Sequence, residues 1–396
     1  MSQHQDPVVI VSAARTPMGG FMSDFADLAA HDLGGVAIKA AVERAGIAPA
    51  LVEEVLFGNC LMAGQGQAPA RQALFKGGLP QSTGAVTLSK MCGAGMEATI
   101  LAHDQLIAGS REVMVSGGME SMSGAPYLLK KGRGGYRMGH DKVFDHMMLD
   151  GLEDAYEPGR SMGTFGEDCA AKYQFTREQQ DAFAIASVTR AQEAARSGAF
   201  DAEIAPVTLK TRKGEVTVSV DEGPAKARLD KIASLKPAFR KDGTITAASS
   251  SSINDGAAAM VLMRASTAQR LGCKPLARIV GHATHAQAPE WFSTAPVGAT
   301  EKLLKKIGWQ VGDVDLWEIN EAFAVVPMAL MADLKIPHDK VNVNGGACAL
   351  GHPIGASGAR ILVTLVPALK ARGLQRGLAT LCIGGGEATA MAIELT

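Results

Sequence analysis

Four short segments of this sequence place a thiol, an imidazole or a carboxamide beside glycines. The first, MCGAG at residues 91–95, sets Cys92 where an apolar run gives way to a helical pattern. The unpaired N–H groups and positive dipole at a helix start favour a thiolate, so we expect the pKa of Cys92 to lie below the free value of about 8.5. A packing role is the commoner one for a cysteine, so this candidate nucleophile needs a partner base.

A histidine in an unusual setting supplies that candidate base. His352 lies between Gly351 and Pro353 in the run NGGACALGHPIGASG, residues 344–358, shortly before an expected helix start. Its imidazole titrates near neutrality and can accept a thiol proton. An isolated histidine is more often structural, but a Gly-His-Pro setting offers this side chain little packing reason to be there.

Two further reactive residues follow strand-like runs. Cys382 precedes three glycines in LCIGGG, residues 381–386, where bare backbone lets a substrate approach closely and N–H groups can stabilise an oxyanion. A second thiol at that edge can act as an acid or a base. Asn320 opens NEAFA, residues 320–324, after the apolar run 316–319. Its amide can orient a water or a carbonyl, although a turn-forming role is more common for asparagine.

The elements that must position these groups follow an alternating pattern. Residues 8–11 (VVIV) and 113–116 (VMVS) predict buried strands, the second ending at Gly117-Gly118. Apolar residues at 33, 36, 37, 40 and 41 share one helical face, and Gly46 follows where a helix C-terminal glycine belongs. Strands alternating with helices indicate an α/β fold with largely buried sheets.

The two ends of the chain repeat one another. Gly46 and Gly308, Val52 and Val314, and the dipeptides at 93–94 and 355–356 are each 262 residues apart. After each of those dipeptides comes a helical stretch and then a strand-like run ending in glycines, VSGG at 115–118 and CIGG at 382–385. Coincidence explains one such match, but several in register predict two duplicated α/β halves.

A long segment has no counterpart in the second half. It contains a glycine-rich loop at 131–135, a helix beginning at Thr176 with Gln179 completing a capping box, and a hairpin of residues 207–211 and 215–220 turning at Lys213-Gly214. We therefore expect three parts. Residues 1–120 and 245–272 form the N-terminal half, 121–244 an inserted loop domain, and 273–396 the C-terminal half.

The composition excludes several classes of protein. A net charge of −1 gives no general attraction to nucleic acid or anionic membrane. We find neither a signal-peptide pattern at the N-terminus nor an uninterrupted apolar run of about 18 residues. Six cysteines without a CxxC pair, and nine histidines without HExxH, predict neither a disulfide scaffold nor a metal site. We expect a cytoplasmic protein with reduced thiols.

Together, these segments resemble the thiolase family. The matches are MCGAGM at 91–96, INDGAAA at 253–259, NEAFA at 320–324, NVNGGACALGHPIGASGAR at 342–360 and LCIGGG at 381–386, within a resemblance that spans nearly the whole chain. It implies two duplicated α/β halves in a layered α-β-α-β-α arrangement with an inserted loop domain. It further implies an acyltransferase that condenses two acetyl-CoA to acetoacetyl-CoA and CoA, reversibly and by a ping-pong route through an acyl-cysteine.

The resemblance also implies a role for each reactive residue. Cys92 is the nucleophile that becomes acylated, and His352 is its activating base. Cys382 removes and returns the proton at the α-carbon of the second substrate. Asn320 holds a water that forms one oxyanion hole with His352, and the backbone N–H groups of Cys92 and Gly384 form the other.

The substrates implied are coenzyme A and its thioesters, with no permanently bound cofactor and no metal. Residues expected along their channel are Ser251, Ala247, Leu152, Met162, Phe292, Ala322 and Phe323. The sequence departs from the usual pattern of the family at 248–252 (ASSSS), at Ser161 in place of histidine, and at Pro224 in place of a nucleotide-contacting arginine that Lys226 or Arg228 can replace. Phe292 stands where a methionine lines the acyl pocket, as in thiolases that accept a 2-methyl branch.

Other functions are consistent with parts of this pattern. A broader 3-ketoacyl-CoA thiolase of fatty-acid degradation would use the same residues on longer chains. A decarboxylating ketoacyl synthase would pair the cysteine with two histidines, but Asn320 and Cys382 hold those places here. An inactive CoA- or lipid-binding relative would be expected to lack some of the four reactive residues, and all four are present. The family also implies a homotetramer built from two tight dimers.

Overall fold

The computed structural model of the chain describes residues 6–396, and a single large sheet system dominates it. Its strands run in the order β12-β13-β14-β11-β1-β10-β5-β3-β4, with the short β2 paired to β10. Two small hairpins, β6-β7 and β8-β9, stand apart from it. The strands are β1 (Val8–Arg15), β2 (Gly19–Gly20), β3 (Glu54–Gly58), β4 (Gly84–Leu88), β5 (Val113–Ser121), β6 (Tyr127–Leu128), β7 (Phe144–Asp145), β8 (Val207–Thr211), β9 (Gly214–Val218), β10 (Asn254–Arg264), β11 (Ala277–Ala286), β12 (Leu316–Ile319), β13 (Arg376–Ile383) and β14 (Glu387–Leu395).

Helices connect most of the strands. They are α1 (Ala30–Ala45), α2 (Pro69–Lys76), α3 (Ala94–Ala108), α4 (Met162–Tyr173), α5 (Arg177–Ser197), α6 (Glu222–Lys226), α7 (Ala265–Leu271), α8 (Ala295–Ile307), α9 (Val325–Leu334), α10 (Ala347–Leu350) and α11 (Ile354–Ala371). Helix α11 is long and apolar enough to cross a membrane by length and composition, but 83% of it is buried inside the protein. It is therefore the core helix that its position between the sheets requires.

The sheet confirms the internal duplication. In the first half, β4, β3, β5, β10 and β1 are neighbours in that order. In the second half, β12, β13, β14 and β11 repeat the order β3-β5-β10-β1, and a parallel bridge from Trp317 to Val341 stands where β4 pairs with β3. Gly46 and Gly308 both end helices in the left-handed conformation, at φ 68° and 72°. The two halves meet through antiparallel pairing of β1 with β11.

Helices and sheets form the expected five layers. Helices α1 and α2 cover the outer face of the first half through one apolar core, and α8 covers that of the second through another. Helices α3 and α11 pack on each other and on strands of both halves, and one shared apolar core fills this central layer. The α-β-α-β-α arrangement predicted from the sequence is confirmed.

The inserted segment, which lies between β5 and β10 in the sequence, covers one face of the core. Its capping box at Thr176 and Gln179 opens α5 as predicted. A buried ion-pair cluster ties it to the first strand, because the Arg15 guanidinium bonds to Glu203 at 2.6 Å and to Asp221 at 2.7 Å. These charges are fully buried, so each needs the others to offset its lost hydration.

Two local predictions are wrong. Strand β5 continues through Gly117-Gly118 to Ser121, because those glycines pair in register with Ala258 and Ala259 of β10. The hairpin turns at residues 212–213 rather than 213–214, since Thr211 pairs directly with Gly214. In both cases pairing with a partner strand decided the boundary over the local turn propensity of glycine.

Candidate active site

Two of the four predicted reactive residues, Cys92 and His352, line one cavity of about 70 Å³ between the two halves. It opens where the loop before α3, the inserted segment and the glycine-rich ends of the second half meet. Nine of the expected site residues line it: Cys92, Leu152, Met162, Ser251, Phe292, Ala322, Phe323, His352 and Gly384. The sequence analysis missed three more lining residues, Met91, Gly151 and Ile354.

Cys92 lies in a tight turn between β4 and α3. Met91 adopts φ 45°, a strained conformation for a residue with a side chain, and α3 begins two residues after the cysteine. A side chain at Gly93 would lie 2.4 Å from Ile383 Cδ1, so glycine lets this turn pack on the end of β13 without moving that isoleucine. The turn therefore holds the Cys92 thiol against the backbone of Gly384.

The protonation state of Cys92 differs from the sequence prediction. Burial raises its pKa to about 11, although the backbone N–H groups of Gly384 and of Cys92 itself oppose the rise by bonding to the sulfur. The expectation of a lowered pKa is thus wrong, because desolvation of the charged form outweighs the helix start. The resting group is a thiol, so it needs a base at the moment of attack.

His352, the predicted base, has the protonation state that this role requires. Burial, followed by the positive charge of Arg360, lowers the pKa of the imidazole to about 4, so the ring is neutral at physiological pH. The Ser357 hydroxyl donates to the Pro353 carbonyl at 2.9 Å and lies 2.5 Å from His352 Nδ1. Because that hydroxyl proton is already engaged, Nδ1–H donates to Ser357, which leaves Nε2 free to accept a proton.

Asn320 completes a polar pair with this histidine. Its side-chain nitrogen lies 3.5 Å from His352 Nε2, and the asparagine is fully buried at the end of β12. The amide oxygen Oδ1 has no hydrogen-bond partner among the described residues. An unpartnered buried acceptor beside a histidine fits the predicted water site, since a water can bond to the acceptor and to the substrate at once.

Cys382 lies behind the cavity wall. It is the second-last residue of β13 and is fully buried, so it does not line the open part of the cavity. Burial and then the neighbouring Cys92 raise its pKa well above the ordinary value. Ionising both thiols together is costly, so one thiolate at a time is the arrangement this site supports.

A carboxylate that the sequence analysis missed braces the site. Glu120, on β5, is fully buried and accepts from Asn59 Nδ2 at 2.6 Å and from the backbone N–H groups of Cys60, Leu61 and Gly355 at 2.9–3.1 Å. Gly355 lies at the start of α11, three residues after His352. Glu120 therefore joins the first half to α11, the helix that follows His352. The sequence signal for it was a charged residue inside an apolar strand.

The comparisons with known proteins agree with this arrangement. The family model for the thiolase N-terminal domain matches residues 8–266, and the model for the thiolase C-terminal domain matches residues 273–395. The chain belongs to the thiolase family. It is 51% identical over 388 residues to an acetyl-CoA acetyltransferase of Rhizobium meliloti, which covers 98% of both chains. An enzyme of the same name from Shinella zoogloeoides is 49% identical over 389 residues, covering 98% of this chain and 99% of the other.

Solved structures of other thiolases have the same fold. The acetyl-CoA acetyltransferase of Bacillus anthracis superposes with a TM-score of 0.96 at 42% identity, covering 99% of each chain. A thiolase from Ascaris suum in complex with coenzyme A gives a TM-score of 0.94 at 42% identity, covering 98% of this chain and 100% of that one. These two structures confirm the predicted α/β fold over nearly the whole chain.

Most residues expected to contact the substrate of this thiolase line the cavity, but Ala247 does not. The loop that contains Ser251 pairs with the NEAFA segment, because Ser251 N–H donates to the Ala322 carbonyl at 3.0 Å. Phe292 lines the cavity and is buried against Phe165, edge to face. Ala247, in contrast, is exposed and does not line the cavity.

The positions that depart from the family pattern have local structural roles. Ser161 caps α4 by accepting from Gly163 N–H. Pro224 is buried within α6, so it offers no side chain to a nucleotide. Lys226 pairs with Glu222, and Arg228 bonds to Asp230 at 3.0 Å, both as exposed cations.

Proposed function

We propose that this thiolase is an acetyl-CoA C-acetyltransferase, which joins two acetyl-CoA into acetoacetyl-CoA and CoA and catalyses the reverse thiolysis. The observation that carries the proposal is the convergence of a thiol, a neutral imidazole and oxyanion-binding N–H groups on one cavity. The full-length similarity to acetyl-CoA acetyltransferases supports the choice of substrate.

In the first half-reaction, the Cys92 sulfur attacks the carbonyl carbon of acetyl-CoA while His352 Nε2 accepts the thiol proton. The carbonyl oxygen becomes negative and is bound by the N–H groups of Cys92 and Gly384. When the carbon–sulfur bond to CoA breaks, the departing sulfur takes a proton from Cys382. The products are acetyl-Cys92, free CoA, an imidazolium at His352 and a thiolate at Cys382.

In the second half-reaction, the Cys382 thiolate removes the α-proton of another acetyl-CoA. The His352 imidazolium and a water held by Asn320 stabilise the enolate oxygen, which the high pKa of a thioester α-proton makes necessary. The enolate carbon attacks the acetyl carbonyl, and a new carbon–carbon bond forms as the bond to Cys92 breaks. The Cys92 sulfur recovers its proton from His352, so every group returns to its starting state.

Short acyl chains fit this site best. The cavity beside Cys92 is only about 70 Å³, and the thioether of Met162 and the ring of Phe292 line it. A rigid ring leaves different space from a flexible thioether, which suits a 2-methyl branch. One methyl group in such a pocket changes specificity by about 1–3 kcal/mol, so discrimination over the branch is modest.

The test compares kcat/KM for thiolysis of acetoacetyl-CoA, 2-methylacetoacetyl-CoA and 3-ketopalmitoyl-CoA. We expect the first two to be turned over at comparable efficiency and the third poorly. Incubation with acetyl-CoA should place a single acetyl group on Cys92, as located by peptide mass spectrometry. A preference for the long chain would favour the broader 3-ketoacyl-CoA thiolase, and an acetyl group on Cys348 or Cys382 would overturn the assigned nucleophile.

The wider setting is proposed with the function. Its partners are acyl-CoA and CoA rather than nucleic acid or membrane, it carries no permanent cofactor, and it acts in fatty acid metabolism as a cytoplasmic homotetramer, a dimer of dimers. All six cysteines are unpaired, which suits a reducing compartment. Light scattering on the purified protein tests the tetramer, and cell fractionation tests the location.

A further inference from the structure

A second cluster of reactive side chains lies away from the catalytic cavity. His103 and Asp104 are on α3, and His282 is on β11, in the other half of the molecule. They line a surface cavity of about 150 Å³ that opens beside the β1–β11 junction. His103 is about 16 Å along α3 from Cys92, at 1.5 Å of rise per residue, so the cluster lies outside the acetyl-transfer machinery.

The three side chains converge on a common point. His282 Nε2 lies 3.0 Å from Asp104 Oδ1 and 3.2 Å from His103 Nδ1, which in turn lies 2.9 Å from the same carboxylate oxygen. Ligands about 2.1 Å from a cation are separated by about 3.0 Å at right angles and about 3.4 Å in a tetrahedron. The observed triangle therefore has the edge lengths of one face of a coordination sphere.

The atoms that converge are also of the right chemical types. Two imidazole nitrogens and one carboxylate oxygen lie within 4.8 Å of one another. Each has a lone pair that a cation can accept, and imidazole is the commonest protein ligand of metal ions. His282 Nε2 and His103 Nδ1 face each other directly at 3.2 Å, as two ligands of one ion would.

The surroundings restrict which cation can bind. Lys306 Nζ donates to the His282 carbonyl at 3.1 Å, and Arg278 also lines the cavity but is paired with Glu394. Arg264 is bonded to Asp6 and to carbonyls at the end of α3. These positive charges disfavour a hard cation held by charge alone, whereas two imidazole nitrogens suit zinc and its neighbours in the first transition series.

We propose that His103, Asp104 and His282 form a binding site for a divalent transition-metal ion such as Zn²⁺. Asp104 is half-exposed at the cavity mouth, so water completes the coordination. The site joins α3, the helix that follows Cys92, to the second half of the molecule. Its role is to clamp the two halves together, because an ion bound only in the folded state stabilises that state. Sequence spacing gave no sign of it, since Asp104 and His282 are 178 residues apart.

The experiment titrates metal-stripped, full-length protein with Zn²⁺ in competition with a chromophoric chelator. Cys92 is alkylated in every sample, so that its thiol does not contribute. The test variant is the double substitution His103→Gln with His282→Gln, and the matched control is His140→Gln, which removes an exposed imidazole from the inserted segment. We expect the wild type and the control to bind one more equivalent than the double variant, and Zn²⁺ to raise their Tm but not that of the double variant.

Further measurements keep the result decisive. Co²⁺ in the wild type should give visible bands without the near-ultraviolet charge transfer of a thiolate ligand. If the double variant does not fold, Asp104→Asn replaces it, with an expected loss of at least about tenfold in Zn²⁺ affinity. Equal stoichiometry in test and control variants, no zinc bound by the wild type at micromolar free ion, or a thiolate band in the Co²⁺ spectrum would each overturn the proposal.

Discussion

The two groups that we propose start the reaction, Cys92 and His352, are both uncharged in the resting site. The pKa of Cys92 is raised to about 11 and that of His352 lowered to about 4, each chiefly by burial. A preformed thiolate–imidazolium pair is therefore not the resting state. In the proposed reaction the charges arise only as the thioester carbonyl is attacked, and the N–H groups of Cys92 and Gly384 would bind the oxyanion that forms.

A single substitution should distinguish the roles of the two thiols. We expect Cys382→Ser to keep acetylation of Cys92 but to lose most carbon–carbon bond formation, because a serine hydroxyl is a far weaker base than a thiolate. Burst-phase mass spectrometry measures the first step, and steady-state condensation measures the second. A loss of equal size in both steps would contradict the division of labour between Cys92 and Cys382.

Acid stability should depend on His352. Its folded pKa of about 4 lies below the ordinary 6.5, so between these values the unfolded chain binds more protons and stability falls as the pH falls. Between pH 7 and pH 5, we expect the free energy of unfolding to fall by about 2 kcal/mol less in His352→Gln than in the wild type. Urea unfolding at both pH values measures it, with the exposed His140→Gln as control. An unchanged pH dependence in His352→Gln would show that the histidine is not held neutral.

At the scale of elements, the crossing of α3 and α11 decides the geometry of the site. Cys92 precedes one helix and His352 the other, and the helices approach so closely that side chains do not fit between them. An added methyl group at Gly95 would lie 2.8 Å from Ala359 N, and one at Gly358 would lie 2.5 Å from Met96 N. Glycine at these positions thus sets the distance between nucleophile and base.

Widening this crossing should cost both stability and activity. We expect Gly358→Ala to lower the free energy of unfolding by about 1–3 kcal/mol through overpacking. We also expect a fall in kcat/KM of tenfold or more, because a small displacement separates the reacting groups. Gly312→Ala is the matched control, since nothing lies within 4 Å of the added methyl group. Equal behaviour of the two variants in urea unfolding and thiolysis assays would argue against the close crossing.

At the scale of the whole molecule, the duplicated halves are not independent. Their sheets join through β1 and β11, and the central helices α3 and α11 share one apolar core. Glu120 of the first half bonds to the N–H of Gly355 in the second. Each half therefore leaves a large apolar face uncovered without the other, although the repeat in the sequence suggests two units.

A fragment should show this dependence directly. We expect residues 273–396 produced alone to lack a cooperative thermal transition, because α11 would expose the face that packs on α3 and on the first sheet. Circular dichroism and hydrogen exchange on the fragment measure this, with the full chain as the reference. A cooperatively folded, monomeric fragment would show that the second half is a domain by itself and that the shared core adds little.

The sequence by itself determined the fold class and the duplication, and it named the candidate reactive residues whose roles stay predictions. Glycine clusters around Cys92, His352 and Cys382 were legible because glycine is needed wherever backbone approaches backbone or substrate. The repeat, whose matching residues lie 262 positions apart, could be recognised because equivalent turns need equivalent residues. The roles assigned to the four reactive residues and to the channel residues, including Ala247, remain predictions from resemblance.

Only the tertiary structure decided the protonation states and the long-range partners. The sequence placed Cys92 at a helix start and so predicted a low pKa, but desolvation depends on everything packed around the thiol and it dominates here. The brace by Glu120 and the cluster at His282 likewise join residues distant in the chain. Local sequence patterns report on neighbours within a few turns, whereas burial and charge pairing depend on distances that the completed fold alone fixes.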